Sequence, residues 1–319
     1  MANYLVRLGL DSPLATPLHS GTIFGHLCWA LRELEGEAAL ERWLGELRED
    51  PFLVSDGFPS GWLPRPLLVL PRPTPPEEPS ERRRFFDELK KRRKATLMRV
   101  QDFLRLRSAL SAEALEQAPV EQDALGVFLH EESMPHNRID RRSGHTLEEG
   151  GLFFLDEFWP HPDRTVVDVY VRCSWAAERL ARLFEHVGRC GYGRDATWGR
   201  GRFSVLAVEP EPAGLFQGEG NRMMSLSHGS LSANMREPRY RVECHIGRLG
   251  NIWARSERPF KYPLLLLKPG ATFAGDSEGP FGDLLDEVHP APELFGARIL
   301  HNAWHLVLPY REVWGRERS

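Results

Sequence analysis

The stretch "WAAERLARLFEHVGRCGYGRDATWGRGRFSVLAVE", residues 175–209, decides how the rest of the chain is read. Ala177, Leu180, Leu183, Phe184 and Val187 recur at helical spacing, so its first part is an amphipathic helix. Its last part, RFSVLAVE (202–209), has the pattern of a strand. Between them lies GYGRDATWGRGRF (191–203), with four glycines, three arginines and one tryptophan. A phosphate-binding P-loop runs from strand to helix and carries Lys after its last glycine. A dinucleotide fingerprint opens a helix, and Ala196 stands here where its third glycine belongs. Both nucleotide readings fail on this order, and no cofactor is expected. Two readings stay open. The loop is a structural turn with solvated arginines, or its glycines bring backbone N–H groups close to a phosphate-bearing ligand while Arg194, Arg200 and Arg202 supply charge. Trp198 either stacks on a base or packs in the core.

Upstream, YLVRLGL (4–10) reads as a strand. It is followed by LHSGTIFGHLCWALRELEG (18–36), in which Ile23, Leu27, Leu31 and Leu34 mark a helix that Ser20 or Thr22 can cap. The helix continues or restarts over Ala38 to Leu47. LPRPLLVLPRPTPPEEP (63–79) suggests a short apolar strand in a polyproline-like linker. Residues 151–159 and 165–172 look like a pair of strands. The order β, α, β, β, α, β is the ferredoxin-like arrangement. EPEPAG (209–214) looks like a boundary, and RMMSLSH, YRVECHIG and PLLLLKPGATF beyond it read as further strands. The expected fold class is α+β, with two ferredoxin-like (RRM-like) domains. The first covers 1–209, with a long basic insertion at about 51–150 and the glycine-rich loop at 191–201. The second, degenerate, covers 210–319.

Charge and cysteine use narrow the function. The net charge is −4, so any nucleic-acid role must come from local patches. Cys28, Cys173, Cys190 and Cys244 are scattered, without a C-x-x-C pair, so a zinc ribbon is not expected and no metal site is read. Scattered thiols, no apolar run long enough to span a bilayer and no signal-peptide pattern imply a soluble cytoplasmic protein. Two further basic stretches accompany the glycine loop: the run from Arg82 to Arg107 and HNRIDRRSG (136–144). Singly, the first reads as a solvated helix face and the second as a surface loop with an internal Asp140–Arg pair. Together the three patches favour RNA or DNA. Enzyme signatures are poor. His19 or His26 could act as general acid/base in RNA cleavage, but a lone histidine near a helix start is more often a packing or capping residue. H-E-E-x-x-x-H (130–136) lacks zinc spacing, and HGSLS (228–232) is not a nucleophile elbow.

The ordered set "LHSGTIFGHL", "KKRRKATLMRVQDFLRL", "HNRIDRRSGHT…GGLFFLDEF" and "GYGRDATWGRGRF" resembles the RAMP superfamily of CRISPR effector subunits. Within it the similarity is to the subunits that cap the crRNA 5′ end in type III-A (Csm) complexes. "LGNIWARSERPF" and "LLLLKPGATF" extend the resemblance through most of the chain. Gly21 departs from the pattern, since many relatives carry an acidic residue after His-Ser. The resemblance implies a non-catalytic subunit that binds the 5′ tag of crRNA. It also implies docking on the large polymerase/cyclase-like subunit and on a backbone RAMP subunit, with target RNA contacted indirectly and no membrane partner. A single-stranded tag needs phosphate contacts and stacking. Gly191, Gly193, Gly199 and Gly201 would give backbone approach, Arg194, Arg200 and Arg202 charge. Asn137, Arg138, Arg141 and Arg142 would hold phosphates from the insertion. Ser20 would offer a hydroxyl and a helix N-terminus to another phosphate. Lys90, Lys91, Arg92, Arg93 and Lys94 would reach the guide–target duplex or the large subunit.

Overall fold

The structure, a computed structural model, describes residues 1–70, 75–119, 128–147, 149–275 and 280–313, without the side chains of residues 91, 293 and 294. The first half contains β1 (Ala2–Leu10), α1 (Ser20–Glu35), α2 (Glu37–Glu46), β2 (Leu53–Pro59), β3 (Trp62–Pro64), α3 (Pro79–Lys94), β4 (Leu97–Arg99), α4 (Val100–Leu106), α5 (Ala112–Gln117), β5 (Leu129–Asn137), β6 (Leu152–Pro160), β7 (Val166–Cys173), α6 (Ala177–Cys190) and β8 (Phe203–Pro210). Four strands form an antiparallel sheet in the order β2-β7-β1-β8. The apolar stripes read from the sequence turn inward: Ile23, Leu27 and Leu31 of α1 and Leu180, Leu183 and Phe184 of α6 are buried with Val6, Leu8, Val169 and Val171 of the sheet. Removing a side chain of this size from water is worth about 1.5–3 kcal/mol, so this stripe-on-sheet contact carries the domain.

Three sequence expectations change. The sheet's second strand is β2, LVSDGFP, and not the 151–159 segment. The strand is hidden by a bulge between Val54 and Gly57, where Ser55 and Asp56 are buried and hydrogen-bonded instead of alternating with apolar residues. The insertion therefore starts beyond β2, not at 51. Residues 65–70 form no strand, because prolines at 64 and 66 interrupt the ladder. Leu67 instead docks across to Gly270 and Thr272, and residues 71–74 of that linker lie outside the described residues. Finally, β6 and β7 are both strands but do not pair: β6 joins β5 in a separate hairpin arm. The polar β5 escapes sequence reading because both its faces are largely solvated.

The second half contains β9 (Arg222–Ser225), β10 (Arg236–Arg239), β11 (Val242–His245), β12 (Leu264–Leu267), β13 (Thr272–Ala274), β14 (Phe281–Leu285), β15 (His301–His305) and β16 (Val307–Tyr310). Its main sheet is antiparallel in the order β10-β13-β9-β16. Taken in chain order, both sheets read second-third-first-fourth. The helices are not repeated: among the described residues this half holds only short 3-10 turns. A loop (226–235) stands where a first helix would lie, and the β14–β15 hairpin occupies the connection of the second. The halves share one core, since Met224, Leu226, Leu306 and Tyr310 join the same buried cluster as β1 and α1. Among the described residues no helix is long and apolar enough to cross a membrane.

Candidate nucleic-acid surface and inter-sheet cavity

The glycine loop is stitched to the segment between β1 and α1. Gly201 N–H donates to the Pro13 carbonyl (2.9 Å), Arg194 N–H to Thr16 Oγ1 (2.9 Å) and the buried Tyr192 hydroxyl to the Pro17 carbonyl (2.8 Å). Gly193 N–H donates to His26 Nε2 at 2.9 Å. Burial pushes the His26 imidazole down to about 4, which keeps that nitrogen an acceptor. Two glycines are dictated by this close fit. A Cβ on Gly201 would stand 2.0 Å from the Tyr192 carbonyl oxygen, and one on Gly193 2.6 Å from Thr16 Cβ, both at positive φ. Gly191 likewise meets the Arg200 carbonyl, and only Gly199 of the four has open space around it. The expectation that the glycines make room for an RNA backbone is thus revised: Gly191 and Gly201 make room for the protein's own backbone and Gly193 for the Thr16 side chain.

The arginines are tied down as well. Arg200 Nε bonds the buried Glu157 carboxylate (2.6 Å) and Arg194 donates to the Asp156 carbonyl (2.8 Å), which fastens the loop to β6. Arg202 donates to the Arg189 carbonyl. Trp198 is 58% exposed, so core packing is ruled out for it. Its ring stacks on His136 (5.3 Å, 27°), which stacks on Phe153 (5.5 Å, 18°). This stack joins the loop to the β5–β6 arm that carries Asn137, Arg138, Arg141 and Arg142, all exposed. Asn137 donates to Thr146 Oγ1, and the Asp140 carboxylate takes the Arg142 N–H and shapes the arm's turn. Loop and arm, far apart in sequence, therefore make one basic surface with an aromatic step. On α3, Lys90, Arg93 and Lys94 are exposed and Arg92 is fixed to the Glu116 carbonyl, while the Lys91 side chain lies outside the described residues.

A cavity of about 1060 Å³ opens between the two sheets and the insertion. Arg65, Arg92, Arg93, Arg241 and Lys268 reach its wall, as do His19, Asp56, His228 and Glu243. Asp56, on the β2 bulge, is the hub. Its Oδ1 accepts from the backbone N–H groups of Ser20 (3.0 Å) and His228 (3.1 Å), and its Oδ2 takes His228 Nδ1 at 2.5 Å. Ser20 is 2% exposed and its hydroxyl donates to the His228 carbonyl. The residue at the N-cap position is His19, so neither Ser20 nor Thr22 caps α1. The positive end of α1 therefore faces an internal carboxylate, where the sequence reading placed a phosphate. Burial is the largest influence on the His228 imidazole and pushes it down, but the charge and hydrogen bond of Asp56, joined by the Glu243 carboxylate, together outweigh it and raise the group to about 9. Burial lowers His19, whose ring centroid lies 4.2 Å from that of His228. Glu243 sits 3.8 Å from His228 Nε2, beyond hydrogen-bond reach, and pairs with Lys268 at 2.5 Å. Sequence reading found His19 but not Asp56, His228, Glu243 or Lys268. No motif links four polar residues spread over separate segments.

No protein-family model matches the chain, and no curated protein matches it. Solved structures do. A chain of a Csm1–Csm4 cassette in complex with AMPPNP superposes with a TM-score of 0.61 at 17% identity, covering 99% of this chain and 100% of that one. The cassette in complex with cA4 gives 0.61 at 15% identity, over 98% and 100%. A chain of the Csm3–Csm4 subcomplex of the type III-A CRISPR-Cas interference complex gives 0.58 at 13%, over 97% and 99%. The subunit common to these assemblies is Csm4. End to end, this chain has the fold of a type III-A Csm subunit.

Proposed function

We propose that the protein is a non-catalytic RNA-binding subunit of a type III-A CRISPR effector complex, which holds the 5′ tag of crRNA and bridges the large subunit to the backbone subunits. The observation that carries this reading is the end-to-end fold correspondence with chains of assemblies whose shared subunit is Csm4. The second half is then a degenerate ferredoxin-like domain, which its repeated strand order supports. The arm and loop supply what a single strand requires: exposed Arg138, Arg141 and Arg142 for phosphates, and the Trp198 face for a base. For docking, Val242, Cys244 and Leu265 stand exposed on one face of the β11–β12 hairpin, with Ile246 beyond its end. Such an apolar face suits a protein neighbour. The test is purification of the chain with its large-subunit and backbone partners, followed by sequencing of the 5′ end of any retained RNA. Retention of a uniform repeat-derived tag is expected. A complex that assembles without RNA would remove the tag-holding role.

One observation supports a second reading, an endoribonuclease that processes precursor crRNA. His19 lies in the cavity beside His228, and burial and the Asp56 charge push the two imidazoles in opposite directions. His26 is no candidate for this role, because it is half-buried and its ring nitrogen is engaged by the glycine loop. Metal-independent cleavage of a repeat RNA, lost in His19→Ala, would establish this reading and defeat the non-catalytic one.

A further inference from the structure

We propose that His19, His228 and Glu243 form a binding site for a divalent transition-metal ion of the zinc class, set in the wall of the inter-sheet cavity. One ligand atom from each of the three lies within 4.8 Å of the other two. In a tetrahedral site with metal bonds of about 2.0–2.2 Å the ligand atoms stand about 3.3–3.5 Å apart, so side-chain adjustments of about an ångström close it.

His228 is already oriented as a ligand. Its Nδ1–H donates to Asp56 Oδ2 at 2.5 Å, which directs Nε2 to the other side of the ring. That Nε2 is buried and has no hydrogen-bond partner. A carboxylate on one nitrogen, with the other unshared by any protein group, is the arrangement that fixes metal-binding histidines, and an incoming ion displaces the proton that Nε2 carries at neutral pH. Asp56 is held in turn by the backbone N–H groups of Ser20 and His228, so the supporting shell is rigid. His19, its ring against that of His228, adds a second imidazole, and burial favours its neutral, ligating form.

Glu243 completes the set. Its carboxylate now holds the Lys268 ammonium at 2.5 Å, so the position already attracts a cation. The Lys268 side chain is 43% exposed and can swing to solvent when an ion takes its place. Two imidazoles and one carboxylate are a donor set that binds zinc and leaves a fourth position for water or an anionic oxygen. All three residues line the cavity. A second group, Glu33, His186 and Cys190, lacks these features. There the His186 Nε2 is itself taken by Glu33, at 2.7 Å.

The test uses the full chain, stripped with a chelator and titrated with ZnCl₂ by calorimetry in excess Mg²⁺, and with CoCl₂ followed by visible absorption. One zinc ion per chain and a four-coordinate cobalt spectrum are expected. Glu243→Gln and His228→Gln should each abolish the spectrum. Asp56→Asn should weaken zinc binding by about 10–100-fold, as for an outer-shell carboxylate. Lys268→Ala should tighten it, an effect that a purely structural ion pair does not produce. Glu243 and Lys268 are both partly exposed, so their variants decide the matter even if His228→Gln fails to fold. Absence of zinc binding would overturn the site. So would binding that survives Glu243→Gln but is lost in His186→Ala.

Discussion

Trp198 stacks on His136 in the open, whereas His228 and Asp56 are paired out of solvent between two sheets. Both regions combine histidine with charge, yet they stand in different relations to the fold. The inter-sheet cluster ties the start of α1 and β2 to the loop after β9 through buried hydrogen bonds, so stability should depend on it. The arm-and-loop surface commits three of its four loop glycines and the contacts of its loop arginines to holding its own shape. What it leaves over, the Trp198 face and the arm's arginines, can be removed without touching the core. Stability and RNA affinity should therefore separate between the two regions.

The largest effect is expected at the hub. Asp56→Ala strips the partner from His228 and leaves two buried N–H groups unpaired, at a cost of about 3–5 kcal/mol in urea unfolding. A loss below about 1 kcal/mol would erase the contrast between the regions. Next comes the pH dependence of the loop's inner tether. His26 has a folded value of about 4 against an ordinary 6.5, so the unfolded chain binds the extra proton between these values. Its contribution is present above about pH 6.5 and lost as the pH falls toward 4, amounting to about 3 kcal/mol. His26→Gln should flatten this part of the stability–pH curve. An unchanged curve would detach His26 from the account.

Smaller effects sharpen the other side. Trp198→Ala should cost about 1–3 kcal/mol in single-stranded RNA affinity, as for loss of one stacked base, with folding stability unchanged within about 0.5 kcal/mol. If stability falls and affinity does not, Trp198 is a structural brace. Gly199→Ala, with open space around its Cβ, should cost only the left-handed backbone, about 1–2 kcal/mol. Gly201→Ala should cost more, because its Cβ overlaps a carbonyl, and thermal unfolding of the pair checks the order.

What the sequence disclosed follows from which signals are local. The 3.6-residue stripes of α1 and α6 and the runs of β1, β7 and β8 are periodic, and they appear where periodicity places them. β2 is invisible because Ser55 and Asp56 are buried at a bulge, satisfied by partners remote in the chain. The resemblance to type III-A subunits names the arm and the loop, and the structure brings them together through a stack on His136, which no spacing rule anticipates. The cavity is not legible at all. Its polar residues are single positions on strands and connections remote from one another in the chain, and only folding makes them neighbours.

The most direct test of RNA holding is the salt dependence of tag-RNA binding by the full chain, compared with an Arg138→Ala, Arg141→Ala, Arg142→Ala triple variant. Each phosphate contact to a single strand contributes about 0.7 to the slope of log K against log salt. Binding that weakens with salt, and a slope about 2 units shallower in the variant, are the predicted results. No binding, or identical slopes, would contradict the assignment of this surface to RNA.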